Sequence, residues 1–278
     1  MKFPYIRAVC NSHRHQQAEL PGMNSPLREL IAAFLVLVAT AFIACGHIGE
    51  KNSIPARGGN SPILLFNGIG TSSSDVLAVE TILNSNHLNY STVNSSQINE
   101  MSESQIRGHR LLIIPGGNFI DIGNSLTSGT TANIRKAVQN GLNYFGICAG
   151  GFFAGNSGYN GLNLTSGVKF GFYAAESQGI RKAAVPISGV GIPTLDHYWE
   201  DGPQFSGWGE VVGKYPDGTP AIVQGTFGNG WIVLTGVHPE APANWRNTMT
   251  FNTSASADNA YAGVLILAAL NSTSLSHY

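Results

Sequence analysis

Two short apolar runs, each stopped by a glycine-containing turn, constrain the fold of this chain more than any other feature. Residues 62–66 end at Asn67-Gly68, and residues 111–114 end at Pro115-Gly116-Gly117. Uninterrupted apolar runs of this length are typical of strands that are buried on both faces of a sheet. Helix-like patterns separate these runs along the chain. Strands that alternate with helices predict a flavodoxin-like α/β fold, with a mostly parallel sheet and helices on both faces.

The C-terminal half has a different pattern, in which strand-like runs are separated by Gly, Pro and Asp. We expect part of this region to extend the sheet with antiparallel strands. A segment of small and apolar side chains near the C-terminus predicts a final helix packed on the sheet. The predicted strands are 185–190, 208–212, 221–224 and 231–235, and the predicted helix is 256–270.

The N-terminal region has the features of an export signal. Residues 30–44 form an uncharged run of 15 residues, which is shorter than the roughly 18 to 20 residues that a spanning helix needs. Arg28 precedes the run, and Ala44 followed by Cys45 ends it. This pattern resembles a bacterial lipoprotein signal with Cys45 as the lipidated residue, while an uncleaved membrane anchor is the alternative. Translation from Met23 would give the signal a more usual length.

This interpretation divides the chain into three parts. Residues 1–45 are predicted as the export segment, and residues 46–60, rich in Gly, Asn, Ser and Pro, as a flexible tether. Residues 61–278 are predicted as the folded domain. We expect this domain to be exported and held at the membrane, on the periplasmic side, by the N-terminal lipid or anchor.

The charge of the chain excludes some classes of partner. Its formal net charge is -1 and only 11% of its residues are charged, so no basic surface for nucleic acid is expected. No Cys and His residues have the spacing of a metal site. We therefore predict no nucleic-acid partner, no metal and no cofactor.

Cys148 lies in a sequence that is typical of a nucleophile. The predicted strand 142–147 runs directly into Cys148, within the segment Gly146-Ile-Cys148-Ala-Gly150-Gly151. It has the form G-x-nucleophile-x-G, in which small flanking residues allow a sharp turn from strand to helix. The start of a helix favours a thiolate at this position. A packing role for a buried Cys in a Gly-rich turn is the alternative.

A second motif offers the partners that such a thiol needs. The predicted strand 231–235 leads into Gly236-Val-His238-Pro-Glu240. His238 can act as the base, and Glu240, two residues later, can orient the imidazole. The backbone N–H groups of Gly116, Gly117 and Ala149 could form an oxyanion hole. The sequence thus predicts a Cys148-His238-Glu240 triad.

Taken together, these motifs resemble class I glutamine amidotransferase domains, which have a Cys-His-Glu triad. The resemblance is closer still to the N-terminal domain of biotin-protein ligases, and it extends over about residues 62–246. The motifs that carry it are Asn67-Gly68, Pro115-Gly116-Gly117, Gly146 to Gly151, Tyr173 to Gly179, Tyr198 to Gly202 and Gly236 to Glu240. The resemblance implies substrate-binding roles for Asn67, Glu176 and Tyr198.

Three function hypotheses follow. The first is a Cys-His-Glu hydrolase that acts on a small-molecule or peptide amide, or a related acyl compound, outside the cytoplasm. It is not expected to be a biotin ligase, because no ligase catalytic domain follows the matching region. The alternative is a module that binds a small molecule or a peptide in the same crevice without turnover. A redox role for Cys148 is a third interpretation.

Overall fold

The computed structural model describes residues 61–278, and its strands form two sheets. The strands in chain order are β1 (Ile63–Phe66), β2 (Tyr90–Val93), β3 (Leu111–Ile114), β4 (Asn143–Ile147), β5 (Gly171–Phe172), β6 (Lys182–Gly189), β7 (Ile192–Glu200), β8 (Pro203–Gln204), β9 (Glu210–Lys214), β10 (Pro220–Phe227) and β11 (Gly230–Thr235). The large sheet has the order β2-β1-β3-β4-β11-β10-β9-β6-β7, and β5 pairs with β8 separately.

The large sheet consists of a parallel part and an antiparallel part. Strands β2, β1, β3, β4 and β11 are parallel to their neighbours. Beyond β11 the sheet is antiparallel. The antiparallel pairs are β11–β10, β10–β9, β9–β6 and β6–β7. The predicted α/β fold with a mostly parallel sheet and an antiparallel C-terminal extension is therefore confirmed.

Helices cover both faces of the sheet. They are α1 (Ser73–Ser85), α2 (Ser95–Asn99), α3 (Glu103–Ile106), α4 (Phe119–Asn124), α5 (Ser128–Gln139), α6 (Ala149–Ala154) and α7 (Ala255–Asn271). Residues of α1 and α7 pack into one apolar core together with β1, β3 and β4. Residues of α2, α3, α5 and α6 pack into a second core on the opposite face. The central strands are buried on both sides because each face has its own core.

The main difference between the structure and the prediction is one additional strand. The long β7 was not predicted, although it supplies Tyr198 and Glu200 to the site described below. Its segment Asp196 to Trp199 is buried, but Asp196 and His197 interrupt the apolar pattern. Asp196 is tolerated in the interior because its carboxylate accepts hydrogen bonds from the backbone and side chain of Asn252, at 2.6 and 2.7 Å. A hydrophobicity pattern does not detect such a strand, because a buried carboxylate with hydrogen-bond partners takes the place of an apolar residue.

The predicted export segment and tether, residues 1–60, lie outside the described residues. Within residues 61–278, no helix has both the length and the apolar character that crossing a bilayer requires.

Candidate functional site

Cys148 occupies a sharp turn between β4 and α6, as the Gly-rich motif predicts. Its backbone has φ 49° and ψ -102°, a conformation that residues other than Gly rarely adopt. A Cβ atom on Gly150 would overlap the carbonyl oxygen of Ile114, and one on Gly146 would lie 2.6 Å from the carbonyl oxygen of Gly150. Side chains are therefore excluded at both glycines, because Gly150 lies against β3 and Gly146 lies against the turn itself.

His238 and Glu240 are brought together after the end of β11. The backbone N–H of His238 donates to the carbonyl of Tyr198 at 2.8 Å, which fixes the imidazole beside β7. The Nδ1 atom of His238 lies 2.9 Å from Oε1 of Glu240 in a hydrogen bond. His238 is 4% exposed and Glu240 is 2% exposed. This pair has the arrangement that the H-x-E spacing predicts.

A third ionisable group, Asp75, approaches the same ring nitrogen and was not predicted. Its Oδ1 lies 3.2 Å from Nδ1 of His238. Asp75 is in the first turn of α1, where the pattern Ser72-x-x-Asp75 favours a capping box in which the acid accepts from the Ser72 N–H. That N–H instead donates to the carbonyl of Gly116 at 3.0 Å. The carboxylate of Asp75 is therefore free to turn toward the imidazole.

Burial and charge act against each other in this cluster. Burial lowers the pKa of His238, but the charge of Glu240 and the contacts with Cys148 and Asp75 raise that pKa well above its ordinary value. Burial raises the pKa of Asp75, and its contact with the charged His238 more than offsets this, so that the pKa is lowered. The cluster thus favours a charged imidazole over a neutral one.

Above this cluster lies a cavity of about 810 Å³. Cys148, Asp75 and His238 border it. Its aromatic lining includes Phe119, Phe152, Phe172, Tyr198 and Trp245. The ring centroid of Phe152 is 4.8 Å from that of Phe119 and 4.9 Å from that of Phe172.

Other residues of the cavity lining are polar and pair with one another. The hydroxyl of Tyr198 donates to Oε2 of Glu200 at 2.6 Å, and Nζ of Lys182 lies 2.9 Å from Oε1 of Glu200. The thiol of Cys148 donates to the backbone carbonyl of Glu200 at 3.5 Å. The resemblance-derived expectation that Tyr198 lies at the site agrees with this position.

The other predicted site residues divide into two groups. Gly117 and Ala149 border the cavity, and among the described residues their backbone N–H groups have no hydrogen-bond acceptor in the chain. Gly116 is not part of the lining; a Cβ atom there would overlap Oδ1 of Asp75 and lie 2.7 Å from Cε1 of His238. Asn67 and Glu176 do not border the cavity either, and Glu176 pairs with Arg181 at 3.0 Å. The roles given to all of these residues remain predictions.

Three side chains at the site could together hold a metal ion. Each of Asp75, His238 and Glu240 offers one ligand atom, and these three atoms lie within 4.8 Å of one another. Nδ1 of His238 already makes a direct hydrogen bond with Glu240. We therefore interpret these three residues as a hydrogen-bonded and ionic cluster.

The comparison with known families supports the motif-based resemblance. Residues 61–180 match the family described as "Biotin-protein ligase, N terminal". This part of the chain is similar to the N-terminal region of biotin-protein ligases. The match includes Asp75 and Cys148, whereas His238 and Glu240 lie beyond its end. The resemblance predicted from the sequence motifs is thereby confirmed.

A biotin-protein ligase from Schizosaccharomyces pombe is 27% identical to the chain over 167 residues. The alignment covers 48% of this chain and 26% of the ligase, so this chain spans about a quarter of the length of that relative.

Two solved structures resemble the fold. An exo-β-1,4-mannosidase from an Opitutaceae bacterium has a TM-score of 0.50 at 14% identity, covering 74% of this chain and 36% of its own. A GMP synthase component from Thermoplasma acidophilum has a TM-score of 0.49 at 12% identity, covering 77% of this chain and 96% of its own. At these identities the likeness concerns the fold alone.

The predicted Cys-His-Glu hydrolase is wrong, because the matched family and the matched relative are biotin-protein ligases. That prediction transfers an activity from the wider amidotransferase fold, and a fold hosts many unrelated reactions. The reason for excluding a biotin ligase also fails, because it depends on where the given sequence ends, and that end carries no information about the activity of the whole protein.

We predict that Gly116→Ala disrupts the packing between Asp75 and His238 at the site. The added methyl group would overlap the Asp75 carboxylate and press on the His238 ring, so the free energy of unfolding should fall by about 1–3 kcal/mol. Urea denaturation measures this change. Gly158→Ala is the matched control, since a Cβ atom there has no neighbour within 4 Å. Equal stability of the two variants would contradict the packing described.

Proposed function

We propose that residues 61–278 bind a small molecule that carries an amide or a carboxylate, with its polar end above Cys148, and do so without turnover. The observation that carries the proposal is the 810 Å³ cavity with Cys148, Asp75 and His238 at its border. Ligand sites commonly have volumes of about 300–1,000 Å³ and combine apolar walls with a few convergent polar groups. Both features are present here.

The polar groups favour a ligand head that can both accept and donate hydrogen bonds. The free N–H groups of Gly117 and Ala149 suit a carbonyl or carboxylate oxygen of the ligand, in the positions first predicted for an oxyanion hole. A charged imidazole of His238 would donate to the same kind of oxygen. The sulfur of Cys148 can accept from an amide N–H. An amide satisfies all of these groups, and a carboxylate satisfies the donors.

The aromatic lining favours a compact, partly apolar ligand body. Phe119, Phe152 and Phe172 form one side of the cavity, and Trp245 lies with its ring centroid 5.9 Å from that of His238. Aromatic side chains bury large apolar areas of a ligand. Because the matched relative is a biotin-protein ligase, biotin is the first ligand to test. Its cyclic urea offers N–H donors and a carbonyl, and its side chain ends in a carboxylate.

Isothermal titration calorimetry of the full chain with biotin and with biotinamide tests the proposal. We expect binding of at least one of them, and a loss of about tenfold in affinity in His238→Asn, because a buried polar contact of the ligand is then lost. His87→Asn is the matched control, since His87 is exposed and outside the cavity. Its affinity should equal that of the wild type.

Two results would contradict binding without turnover. The first is a wild-type chain that binds neither compound, or that binds with the same affinity in both histidine variants. The second is conversion of biotinamide to biotin, detected by mass spectrometry after prolonged incubation with the wild type.

We also propose that residues 1–45 export the chain and that Cys45 carries a lipid that holds the domain at the outer side of the cytoplasmic membrane. The support is the 15-residue uncharged run 30–44, preceded by Arg28 and followed by Cys45-Gly46. Such a run fits the apolar region of a signal peptide better than a spanning helix.

Metabolic labelling with radioactive palmitate in a bacterial host tests this second proposal. We expect label in the wild type and none in Cys45→Ser, since the acyl chains would have no attachment site. Cys10→Ser is the matched control and should keep the label. Labelling that survives Cys45→Ser, or an unlabelled wild type in the cytosolic fraction, would refute lipidation at Cys45.

A further inference from the structure

Part of the cavity lining comes from a segment that belongs neither to the sheet nor to a long helix. Residues 242–253, called the lining segment below, contain only a short 3-10 turn, Ala243–Arg246. Four residues of this segment border the cavity: Trp245, Asn247, Thr248 and Met249. The position of the lining segment therefore helps to determine the shape of the proposed ligand site.

The contacts of the lining segment with the site do not by themselves explain its position. The ring centroid of Trp245 is 5.5 Å from that of Tyr198 and 5.9 Å from that of His238, whereas Asn247 and Thr248 are exposed. Thr248 has φ 71°, a left-handed conformation that is costly for a β-branched residue and persists only where neighbouring structure imposes it. The segment must therefore be held by other contacts.

Arg246 supplies these contacts. It is buried and does not border the cavity. Its guanidinium donates to the backbone carbonyl of Thr253 and lies over the ring of Phe251, with Cζ 3.7 Å from the centroid. Its Nη1 atom is 3.4 Å from Oδ2 of Asp258 in α7. One side chain thus connects the 3-10 turn to the end of the lining segment and to the last helix.

Arg246 is the charged partner of Asp258. Asp258 is 2% exposed, and burial raises its pKa to about 6, so the carboxylate is still charged at neutral pH. His197 lies 3.8 Å from the same carboxylate, but burial lowers the pKa of His197 to about 3 and keeps the ring neutral. Removing one partner of a buried ion pair leaves an uncompensated charge, so Asp258 holds Arg246 in place.

The end of the lining segment has a second attachment, to β7. The carboxylate of Asp196 accepts from the backbone N–H and the side-chain amide of Asn252, at 2.6 and 2.7 Å. The hydroxyl of Thr253 accepts from the Asp196 N–H at 2.9 Å and donates to Oδ1 of Asp258 at 3.2 Å. Both the 3-10 turn and the end of the segment are thereby tied to one buried cluster outside the cavity.

We propose that Arg246 is a positioning residue which, paired with Asp258, holds the lining segment against the cavity and so raises the affinity for the ligand without touching it. A ligand binds only those molecules in which the segment is in place, so the apparent affinity falls with their fraction. The effect on affinity rests on the proposed function, whereas the effect on the segment does not.

Hydrogen exchange followed by mass spectrometry of the full chain tests whether Arg246 holds the segment, and it needs no ligand. In Arg246→Met we expect the amides of residues 243–253 to exchange about tenfold faster, because a hydrogen bond from a charged group and a buried ion pair are lost. The amides of β3 and β4 should keep their wild-type rates. Arg246→Lys should give an intermediate rate, since it keeps the charge without the planar guanidinium.

Arg135→Met is the matched control. The guanidinium of Arg135 also lies over a ring, with Cζ 4.4 Å from the centroid of Phe227, and it also donates to a backbone carbonyl, that of Leu162 at 3.0 Å. Arg135 neither borders the cavity nor belongs to the lining segment. Its replacement removes a comparable set of contacts, so exchange in residues 243–253 should remain at the wild-type rate.

Calorimetric titration with biotin and with biotinamide connects the segment with binding. In Arg246→Met the affinity should fall about tenfold, in proportion to the fraction of molecules with the segment in place. Arg246→Lys should recover part of this loss, and Arg135→Met should bind as the wild type does. Thermal unfolding of the two methionine variants separates this effect from a general loss of stability, which would weaken binding in both.

Three results would overturn the proposal. The first is a folded Arg246→Met variant in which residues 243–253 exchange at the wild-type rate, or in which faster exchange is spread evenly over the domain. The second is wild-type ligand affinity in a variant whose lining segment exchanges faster. The third, which decides the question if Arg246→Met does not fold, is wild-type exchange in Arg246→Lys. A wild-type chain that binds neither compound would refute the proposed function, while the exchange rates would still decide whether Arg246 holds the segment.

Discussion

Close approach of the backbone at the carboxyl edge of the parallel strands is the constraint on which the site depends. Gly150 leaves room for the carbonyl of Ile114, and Gly116 leaves room for the Asp75 carboxylate and the His238 ring. Because these positions have no side chains, the ends of β3, β4 and β11 can deliver their residues into one small volume. In open α/β sheets this edge is where ligands bind.

The same crowding explains why the ionisable groups are buried. Cys148, His238 and Asp75 are between 4% and 6% exposed, although all three border the cavity. In such surroundings a charge is stable only beside an opposite charge or a hydrogen-bond donor. The imidazole of His238 has two carboxylates within reach, so the cluster holds excess negative charge and favours the protonated ring. Electrostatics and packing are therefore determined by the same glycine positions.

Much of this arrangement can be predicted from local sequence. The apolar run that ends at Ile114 predicts a buried strand, and Gly146 to Gly151 predicts the turn at Cys148, because both signals lie within a few consecutive residues. The pairing of His238 with Glu240 follows from their spacing after β11. The family resemblance is carried by these same motifs. Their reaction cannot be inferred in this way, since the motifs describe a site and the chemistry depends on what the site holds.

The parts that local sequence does not predict depend on distant partners. The strand β7 is hidden because Asp196 is buried with hydrogen bonds from Asn252. The role of Asp75 is hidden because its pattern with Ser72 indicates a helix cap, and only the carbonyl of Gly116, on another loop, changes that outcome. Gly116 was predicted to offer its N–H to a ligand. In the structure, Asp75 and His238 occupy the space that a side chain at Gly116 would fill.

The most direct test of this account is the ¹⁵N chemical shift of the two ring nitrogens of His238, assigned with His238→Asn and measured by NMR near pH 7.5, about one unit above the ordinary histidine pKa. The account predicts that both nitrogens carry protons at this pH, as in a charged imidazole held by Asp75 and Glu240. One protonated and one unprotonated nitrogen, as in a neutral ring, would contradict it.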